Sequence, residues 1–184
     1  MEGVPSKSEP AHDEYSEITL RPFDPSDIED FMVWATDEKV SHFCTLDIYK
    51  SKEQGMYFIQ NIAIPHPWYR AICLKGKAIG SISVTPNSGI LATNRALLGY
   101  ALGSKYWGKG IVTRAVKIVV STIFREWPHL ERLEALALVE NLASQRVLEK
   151  TGFQKEGVLR QYAFVKGKSR DLVMFSFLSM DLPS

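Results

Sequence analysis

The chain has 184 residues, of which 45% are hydrophobic and 23% are charged. These are the proportions of a globular protein, and they exclude a disordered chain, a collagen-like repeat and a coiled-coil rod. Because 22 Lys and Arg stand against 21 Asp and Glu, the net charge is +1. This near balance argues against direct nucleic-acid binding through an extended basic surface, and the length favours one domain.

The cysteines and the apolar runs bear on metal content and compartment. Cys44 and Cys73 lack the C-x-x-C spacing of a zinc or redox motif, so we predict neither a metal site nor a disulfide framework. No segment approaches the roughly 18 uninterrupted apolar residues that cross a bilayer. The first residues lack the apolar core of a signal peptide. We therefore expect a reducing, aqueous compartment, cytoplasmic or nuclear, and no membrane partner.

The chain is predicted to begin with a tail. Residues 1–16 are mostly polar and have almost nothing to bury, which predicts a flexible N-terminal arm. We place the folded domain over residues 17–182, beginning with the strand ITLRPF. Asp24 and Pro25 then supply an N-cap and a first-turn proline for a helix that runs to about Thr36.

The next segments predict a second helix and then a hairpin. Ser51 and Gln54 have capping-box spacing and open a helix that ends at Pro65. Between the two helices, HFCTLDIY is expected to be irregular. From Trp68 onward, apolar and β-branched runs flank the turn Lys75-Gly76-Lys77, which predicts a β-hairpin. The run RALLGYAL follows as a third strand.

The second half alternates helices and strands. GKGIVTRAVKIVVSTIFREW is the strongest helix, because its apolar residues recur with a 3.6-residue period. RLEALALVE predicts a strand covered on both faces. NLASQRVLEKTG predicts a short helix, and two strands around Lys166-Gly167-Lys168 close the chain as a hairpin. This order predicts a single α/β (α+β) domain with a mixed sheet.

The loop before the long helix carries the chemistry. Gly108 and Gly110 allow the backbone to approach a bulky ligand, and the first amides of the helix present the positive end of its dipole. Such a helix start binds phosphate. Lys109 adds a positive charge, and Thr113 adds a hydroxyl in the first turn.

Three interpretations compete for this loop before any family is considered. The three are a strand-to-helix turn without a ligand, a P-loop and a dinucleotide-binding loop. The segment from Gly103 to Lys109 fits G-x-x-x-x-G-K, but Gly110 stands where a P-loop needs its magnesium-binding hydroxyl. A G-x-G-x-x-G pattern fails because residue 113 is threonine.

Four segments of the chain can be compared with known families: YWGKGIVTRA, VENLASQRVLEKTGFQKEGVLR, VKGKSRDLVMFS and ITLRPF. Together they resemble the GNAT superfamily of acetyltransferases, notably the subgroup that acetylates the N-termini of ribosomal proteins. YWGKGIVTRA is similar to the acyl-coenzyme A loop, and VENLASQRVLEKTGFQKEGVLR is similar to the second motif of that subgroup. VKGKSRDLVMFS resembles its closing hairpin, and ITLRPF its opening strand. The resemblance implies a single GNAT-like domain with a mostly antiparallel sheet, splayed at the cofactor site and flanked by about four helices.

The resemblance also implies where acetyl-coenzyme A (acetyl-CoA) binds. Loop amides should hold its pyrophosphate, and one strand should pair with its pantetheine arm. Trp107 stands where the family has Gln or Arg, so one side-chain phosphate donor is missing. The implied cofactor-binding residues are Tyr100, Ala101, Leu102, Gly108, Lys109, Gly110, Ile111, Val112, Thr113, Asn141 and Lys150.

The same comparison implies catalytic candidates. Many family members place a tyrosine proton donor seven residues after the Asn of the second motif, but this chain has Leu148 there. Asn141 and Ser144 lie one helical turn apart on the same face, so both are catalytic candidates at the thioester end of the cofactor. Ser144 is expected to stabilise the departing thiolate. Glu140 is the first candidate for the base that deprotonates the amine. Other candidate bases are Asp171, His42 and His66.

Together these features imply an N-acetyltransferase that moves acetyl from acetyl-CoA to a primary amine by direct attack and uses no metal. The preferred acceptor is a protein or peptide N-terminus, and a polyamine or amino sugar is the alternative. A noncatalytic acyl-CoA sensor is the second alternative, because of the departures at Trp107 and Leu148. We expect a monomer or a homodimer.

Overall fold

The computed structural model describes residue 15 and residues 17–44, 49–89 and 93–182. The predicted arm lies outside the described residues except for Tyr15. The predicted order of elements is confirmed, with one helix added. The strands are β1 (Ile18–Arg21), β2 (Tyr69–Leu74), β3 (Lys77–Pro86), β4 (Arg95–Leu102), β5 (Arg132–Leu138), β6 (Gln154–Val165) and β7 (Lys168–Leu178), and the helices are α1 (Ile28–Ala35), α2 (Glu38–Phe43), α3 (Lys52–Phe58), α4 (Ile111–Glu126) and α5 (Leu142–Lys150).

The seven strands form one mixed sheet in the order β1-β2-β3-β4-β5-β7-β6. Neighbouring strands are antiparallel except β4 and β5, which are parallel. These two pair from Arg95 to Leu98 on β4, and β4 then continues to Leu102 without β5 beside it. The predicted splay of the sheet is therefore present, and it opens between the ends of β4 and β5.

Two hydrophobic clusters cover the sheet on opposite sides. Helix α4 packs into the larger cluster through buried side chains such as Ile111, Val119 and Ile123, which confirms its predicted apolar face. The smaller cluster holds α1 and α3 against β2 and β3, with Phe31 and Phe58 stacked at a centroid distance of 5.5 Å. No helix among the described residues is long and apolar enough to span a membrane.

The start of α1 follows the predicted capping signals. The side chain of Asp24 accepts a hydrogen bond from the Ser26 amide, and Pro25 opens a 3-10 turn that leads into the helix. The same turn carries Asp27, whose buried carboxylate accepts two hydrogen bonds from Arg21 of β1. Hydrogen bonds between residues close in the chain thus join the first strand to the start of the first helix.

Helix α2 is the addition that the sequence analysis did not predict. Asp37 caps it by accepting a hydrogen bond from the Lys39 amide at 2.9 Å. The helix takes in His42 and Phe43, the first residues of the segment expected to be irregular, while residues 45–48 of that segment lie outside the described residues. With six residues, α2 is too short to show a periodic pattern, and Val40 is buried only through tertiary packing.

Candidate active site

The splay between β4 and β5 opens a cleft of about 390 Å³. Its walls come from the free ends of both strands, the loop before α4, α5 and α2. The cleft brings together most of the residues predicted for the cofactor. Those that line it are Tyr100, Ala101, Leu102, Gly108, Gly110, Ile111, Val112, Thr113, Asn141 and Lys150.

The loop before α4 has the backbone of an anion-binding helix start. Gly108 and Gly110 have φ angles of 75° and 73°, a left-handed conformation that favours glycine. Gly110 is the N-cap of α4, and the first turn of the helix carries no side-chain cap. A Cβ placed on Gly108 meets nothing within 4 Å, so space is open in front of the loop. The amides of this turn are therefore available to an anion at one end of the cleft.

Trp107 holds this loop to the end of β4. Its indole Nε1 donates a hydrogen bond to the Leu102 carbonyl at 2.8 Å, and its ring lies 6.1 Å from that of Phe43. The residue that replaces the family's Gln or Arg thus positions the loop through the backbone. The Leu102 carbonyl is thus already engaged, and Tyr100 and Ala101 pair with β3 along the other edge of β4.

Two basic side chains contact Tyr15, one from the loop before α4 and one from the first turn of that helix. Lys109 Nζ lies 2.7 Å from the Tyr15 hydroxyl and 4.3 Å from the centre of its ring. Arg114 donates to the carbonyls of both Tyr15 and Lys109. Lys109 is the one predicted cofactor residue that does not line the cleft; its side chain is turned toward Tyr15. The sequence analysis did not link Tyr15, 94 residues earlier in the chain, to this loop.

The start of α5 brings two hydroxyl groups together in the cleft. The side chain of Asn141 caps the helix by accepting a hydrogen bond from the Ser144 amide at 3.1 Å, as an N-cap is expected to do. The Ser144 Oγ lies 2.6 Å from the hydroxyl of Tyr100 on β4. Burial raises the pKa of Tyr100 to about 12, although the hydrogen bond with Ser144 acts in the opposite direction. The phenol therefore stays protonated at neutral pH.

A second basic residue accompanies Lys150 on the wall made by α5. Arg146 lies one turn earlier on the same helix, and both side chains line the cleft. The sequence analysis named only Lys150. The four-residue spacing was a usable signal, because residues i and i+4 of a helix share a face.

Glu140 lies apart from the other catalytic candidates. It follows the end of β5 and is exposed, and its carboxylate accepts a hydrogen bond from Arg170 at 2.8 Å. It does not line the cleft that contains Ser144 and Asn141. The structure therefore brings Ser144 and Asn141 together and places Glu140 in an ion pair at the exit of the strand.

Two of the other candidate bases, Asp171 and His66, also have hydrogen-bond partners within the fold. The carboxylate of Asp171 accepts a hydrogen bond from the Gln161 amide at 2.7 Å and so holds an irregularity in the β6–β7 hairpin. His66 accepts from the Trp68 amide and contacts the Thr85 hydroxyl. His42 is exposed on α2. Among the described residues, no group of three or more His, Cys, Asp or Glu side chains is placed to hold a metal ion.

Comparisons with known proteins agree with this architecture. The model of the acetyltransferase (GNAT) domain family matches residues 17–154. The chain is 31% identical over 175 residues to the uncharacterized N-acetyltransferase p20 of Bacillus licheniformis, which covers 89% of this chain and 94% of the relative. It is 32% identical over 84 residues to a ribosomal protein uS5-alanine N-acetyltransferase of Escherichia coli, covering 46% of this chain and 43% of the relative.

A solved structure gives the same result for the fold. The crystal structure of the microcin C7 self-immunity acetyltransferase MccE, in complex with acetyl-CoA and AMP, matches with a TM-score of 0.77 at 25% identity. The match covers 89% of this chain and 93% of that one. With a family model matching most of the chain and a relative aligned over nearly its full length, this chain belongs to the GNAT family of N-acetyltransferases.

Proposed function

We propose that this N-acetyltransferase uses acetyl-CoA to acetylate the α-amino group at the N-terminus of a protein. One observation carries the proposal: a single cleft joins an anion-binding loop, the free edge of β4 and the hydroxyl of Ser144. These are the three features that a long phosphorylated thioester needs. They bind its phosphates, its arm and its reacting end in that order.

The residues of the cleft fit acetyl-CoA from one end to the other. The loop amides from Gly108 to Thr113 would hold the pyrophosphate, since the left-handed glycines leave that space open. Beyond Leu98, the edge of β4 that β5 leaves free would bind the pantetheine arm as an added strand would, while the opposite edge stays paired with β3. Arg146 and Lys150 would supply charge for the remaining phosphate.

The hydroxyl of Ser144 would act at the reacting end. When bound, acetyl-CoA supplies an activated acetyl thioester. Ser144 would donate a hydrogen bond to the sulfur as the carbon–sulfur bond breaks, which stabilises the developing negative charge. A serine hydroxyl is too weak an acid to give up its proton readily, so we assign it stabilisation of charge rather than proton transfer.

An N-terminal amine suits this cleft, because no Asp, Glu or His is among the described residues that line it. A free α-amino group has a pKa of about 8, so a useful fraction is uncharged near neutral pH, whereas a lysine amine with a pKa of about 10 needs more help. Glu140 is paired with Arg170 and lies outside the cleft lining. The similarity to a ribosomal protein alanine N-acetyltransferase supports the same class of acceptor.

The test begins with binding and continues with transfer. Acetyl-CoA binding is measured by calorimetry, and acetylation is followed on peptides with a free N-terminal Ala or Ser, on the same peptides blocked at the N-terminus, and on spermidine. We expect Ser144→Ala to lower kcat about a hundredfold while the Kd for acetyl-CoA stays within about twofold. Ser121→Ala, the same change on the exposed face of α4, is the control.

Each other outcome selects a different function. Transfer to spermidine alone would replace the protein acceptor with a small amine. Binding of acetyl-CoA with no transfer to any amine would indicate a noncatalytic sensor. Absence of binding by the folded wild type would refute the use of acetyl-CoA.

A further inference from the structure

The contact between Tyr100 and Ser144 crosses the gap between the two separated strands. Tyr100 lies two residues beyond the last pair that β4 makes with β5, and Ser144 lies in the first turn of the helix that follows β5. Both side chains line the cleft. Their oxygens are 2.6 Å apart, which is a short hydrogen bond between two hydroxyl groups.

Either hydroxyl is able to donate in this contact, and the two arrangements differ in their consequence. If Ser144 donates to Tyr100, the hydrogen of Ser144 is used within the pair. The Tyr100 hydrogen is then left to point into the cleft, which Tyr100 also lines, or to the Ser144 carbonyl at 3.3 Å, beyond the usual range for such bonds. If Tyr100 donates to Ser144 Oγ, the phenol makes the short bond, and the hydrogen of Ser144 is left to point into the cleft.

An anion in the cleft favours the second arrangement. A developing thiolate accepts hydrogen bonds and donates none, so it needs a hydroxyl hydrogen, and the proposed function assigns that donor to Ser144. A hydroxyl that accepts a hydrogen bond also becomes a better donor, because neighbouring bonds polarise one another. Burial keeps the Tyr100 phenol protonated, so its hydrogen is present to make the supporting bond.

We propose that Tyr100 is a positioning residue, which donates to Ser144 Oγ and so directs the hydrogen of Ser144 toward the sulfur that acetyl leaves. The inference rests on the proposed function, since it needs a thioester in the cleft. In this step the carbon–nitrogen bond forms and the carbon–sulfur bond breaks, and the electron pair of the latter stays on sulfur. The amine proton passes to solvent, and both hydroxyls keep their protons.

The proposal predicts that the Tyr100 hydroxyl contributes to kcat only when the Ser144 hydroxyl is present. Tyr100→Phe removes a single oxygen and keeps the ring, so it leaves the wall of the cleft in place. We expect it to lower kcat about tenfold, the effect of losing one supporting hydrogen bond, with the Kd for acetyl-CoA within about twofold of wild type. Without the Ser144 hydroxyl there is nothing left to direct, so the double variant should be no slower than Ser144→Ala alone.

The experiment is a double-mutant cycle with separate measurement of binding and turnover. Wild type, Tyr100→Phe, Ser144→Ala and the double variant are compared by calorimetry with acetyl-CoA and by steady-state kinetics on an N-terminal peptide. Thermal unfolding is recorded for each. Tyr57→Phe, at an exposed position of α3, is the matched control and should keep the wild-type kcat.

A second variant keeps the test valid if Tyr100→Phe is unstable. Incorporating 3-fluorotyrosine at position 100 retains the hydroxyl and makes it more acidic. The kcat should then change in the wild-type background and not in the Ser144→Ala background. A structural role for the Tyr100 ring alone predicts no change in either.

The results separate this inference from the function on which it rests. A wild-type kcat in Tyr100→Phe would overturn the positioning role and leave the proposed acetyltransferase function intact. The same holds if the fold-loss of kcat in the double variant equals the product of the two single losses. A change confined to the KM for acetyl-CoA would also overturn the positioning role. A wild type that transfers acetyl to no amine would refute the proposed function and this inference together.

Discussion

At the scale of single residues, the loop before α4 depends on the backbone of Gly110. Its φ of 73° costs a residue with a side chain roughly 1–2 kcal/mol. A Cβ there would lie 3.8 Å from Arg114, an ordinary contact, so the cost of a substitution comes from the backbone and not from a collision. Gly110 is therefore required by conformation at the start of α4.

We expect Gly110→Ala to lower the free energy of unfolding by about 1 kcal/mol and to weaken acetyl-CoA binding, because the helix start must leave the left-handed region. Urea unfolding and calorimetry measure the two effects. Gly157→Ala is the control, since its Cβ meets nothing within 4 Å and its φ is not left-handed. An equal loss of stability in both variants would contradict this account.

At the scale of elements, the close approach of β3 and β4 positions the strand that borders the cleft. A Cβ added to Gly80 would lie 2.4 Å from the Ala101 carbonyl oxygen and 3.0 Å from the Leu102 Cα. Both atoms belong to the backbone, so they cannot turn aside as a flexible side chain would. The absence of a side chain at Gly80 thus helps to set where β4 lies.

Gly80→Ala should push the two strands apart and lower the free energy of unfolding by about 2 kcal/mol. Acetyl-CoA binding should weaken as well, because Ala101 and Leu102 line the cleft. For stability, the matched control is Gly99→Ala on β4, whose Cβ would first meet the Ser83 hydroxyl at 3.3 Å. If urea unfolding shows the same loss in the free energy of unfolding for both substitutions, the close approach of β3 and β4 at Gly80 is not the cause of that loss.

At the scale of the whole molecule, a polar network joins three strands in the half of the sheet beyond the cleft. Arg132 of β5 donates to both carboxylate oxygens of Glu156 on β6, at 2.7 and 2.6 Å, and Ser176 of β7 donates to the same carboxylate. The hydrogen bonds from Arg132 and Ser176 lower the pKa of Glu156 to about 2. Protonating this carboxyl therefore weakens a tie between strands that are distant in sequence.

A carboxyl whose pKa is lower in the folded state than in the unfolded state stabilises the fold. That contribution is complete above the pKa of the unfolded chain, about 4.3, and is lost as the pH falls toward the folded pKa of about 2. Because Glu156 is partly exposed, its ion pair is screened by solvent. We therefore expect the free energy of unfolding of wild type to exceed that of Glu156→Gln by no more than about 1 kcal/mol at pH 7. The difference should shrink between about pH 5 and pH 2. Thermal unfolding across this range measures it, and a difference that persists undiminished at pH 2 would contradict the assignment.

Local patterns in the sequence predict the order of elements and the glycine conformation of the loop before α4. Both are written in local patterns, such as the period of α4, the cap at Asp24 and the glycines before Ile111, and these act between residues close in the chain. The proximity of Asn141 and Ser144 could also be predicted from the sequence, because they lie within one turn of the same helix. The short helix α2 was missed, since its stability comes from packing and not from its own pattern.

Only the tertiary structure decided which side chains meet across the cleft. Tyr100 contacts Ser144, 44 residues further along the chain, because the parallel pairing of β4 and β5 stops at Leu98 and leaves both facing one gap. Glu140 is paired with Arg170 for a similar reason, as β5 and β7 lie side by side. The physical reason is that strand order and strand separation are set by the burial of a common core, which no local pattern encodes.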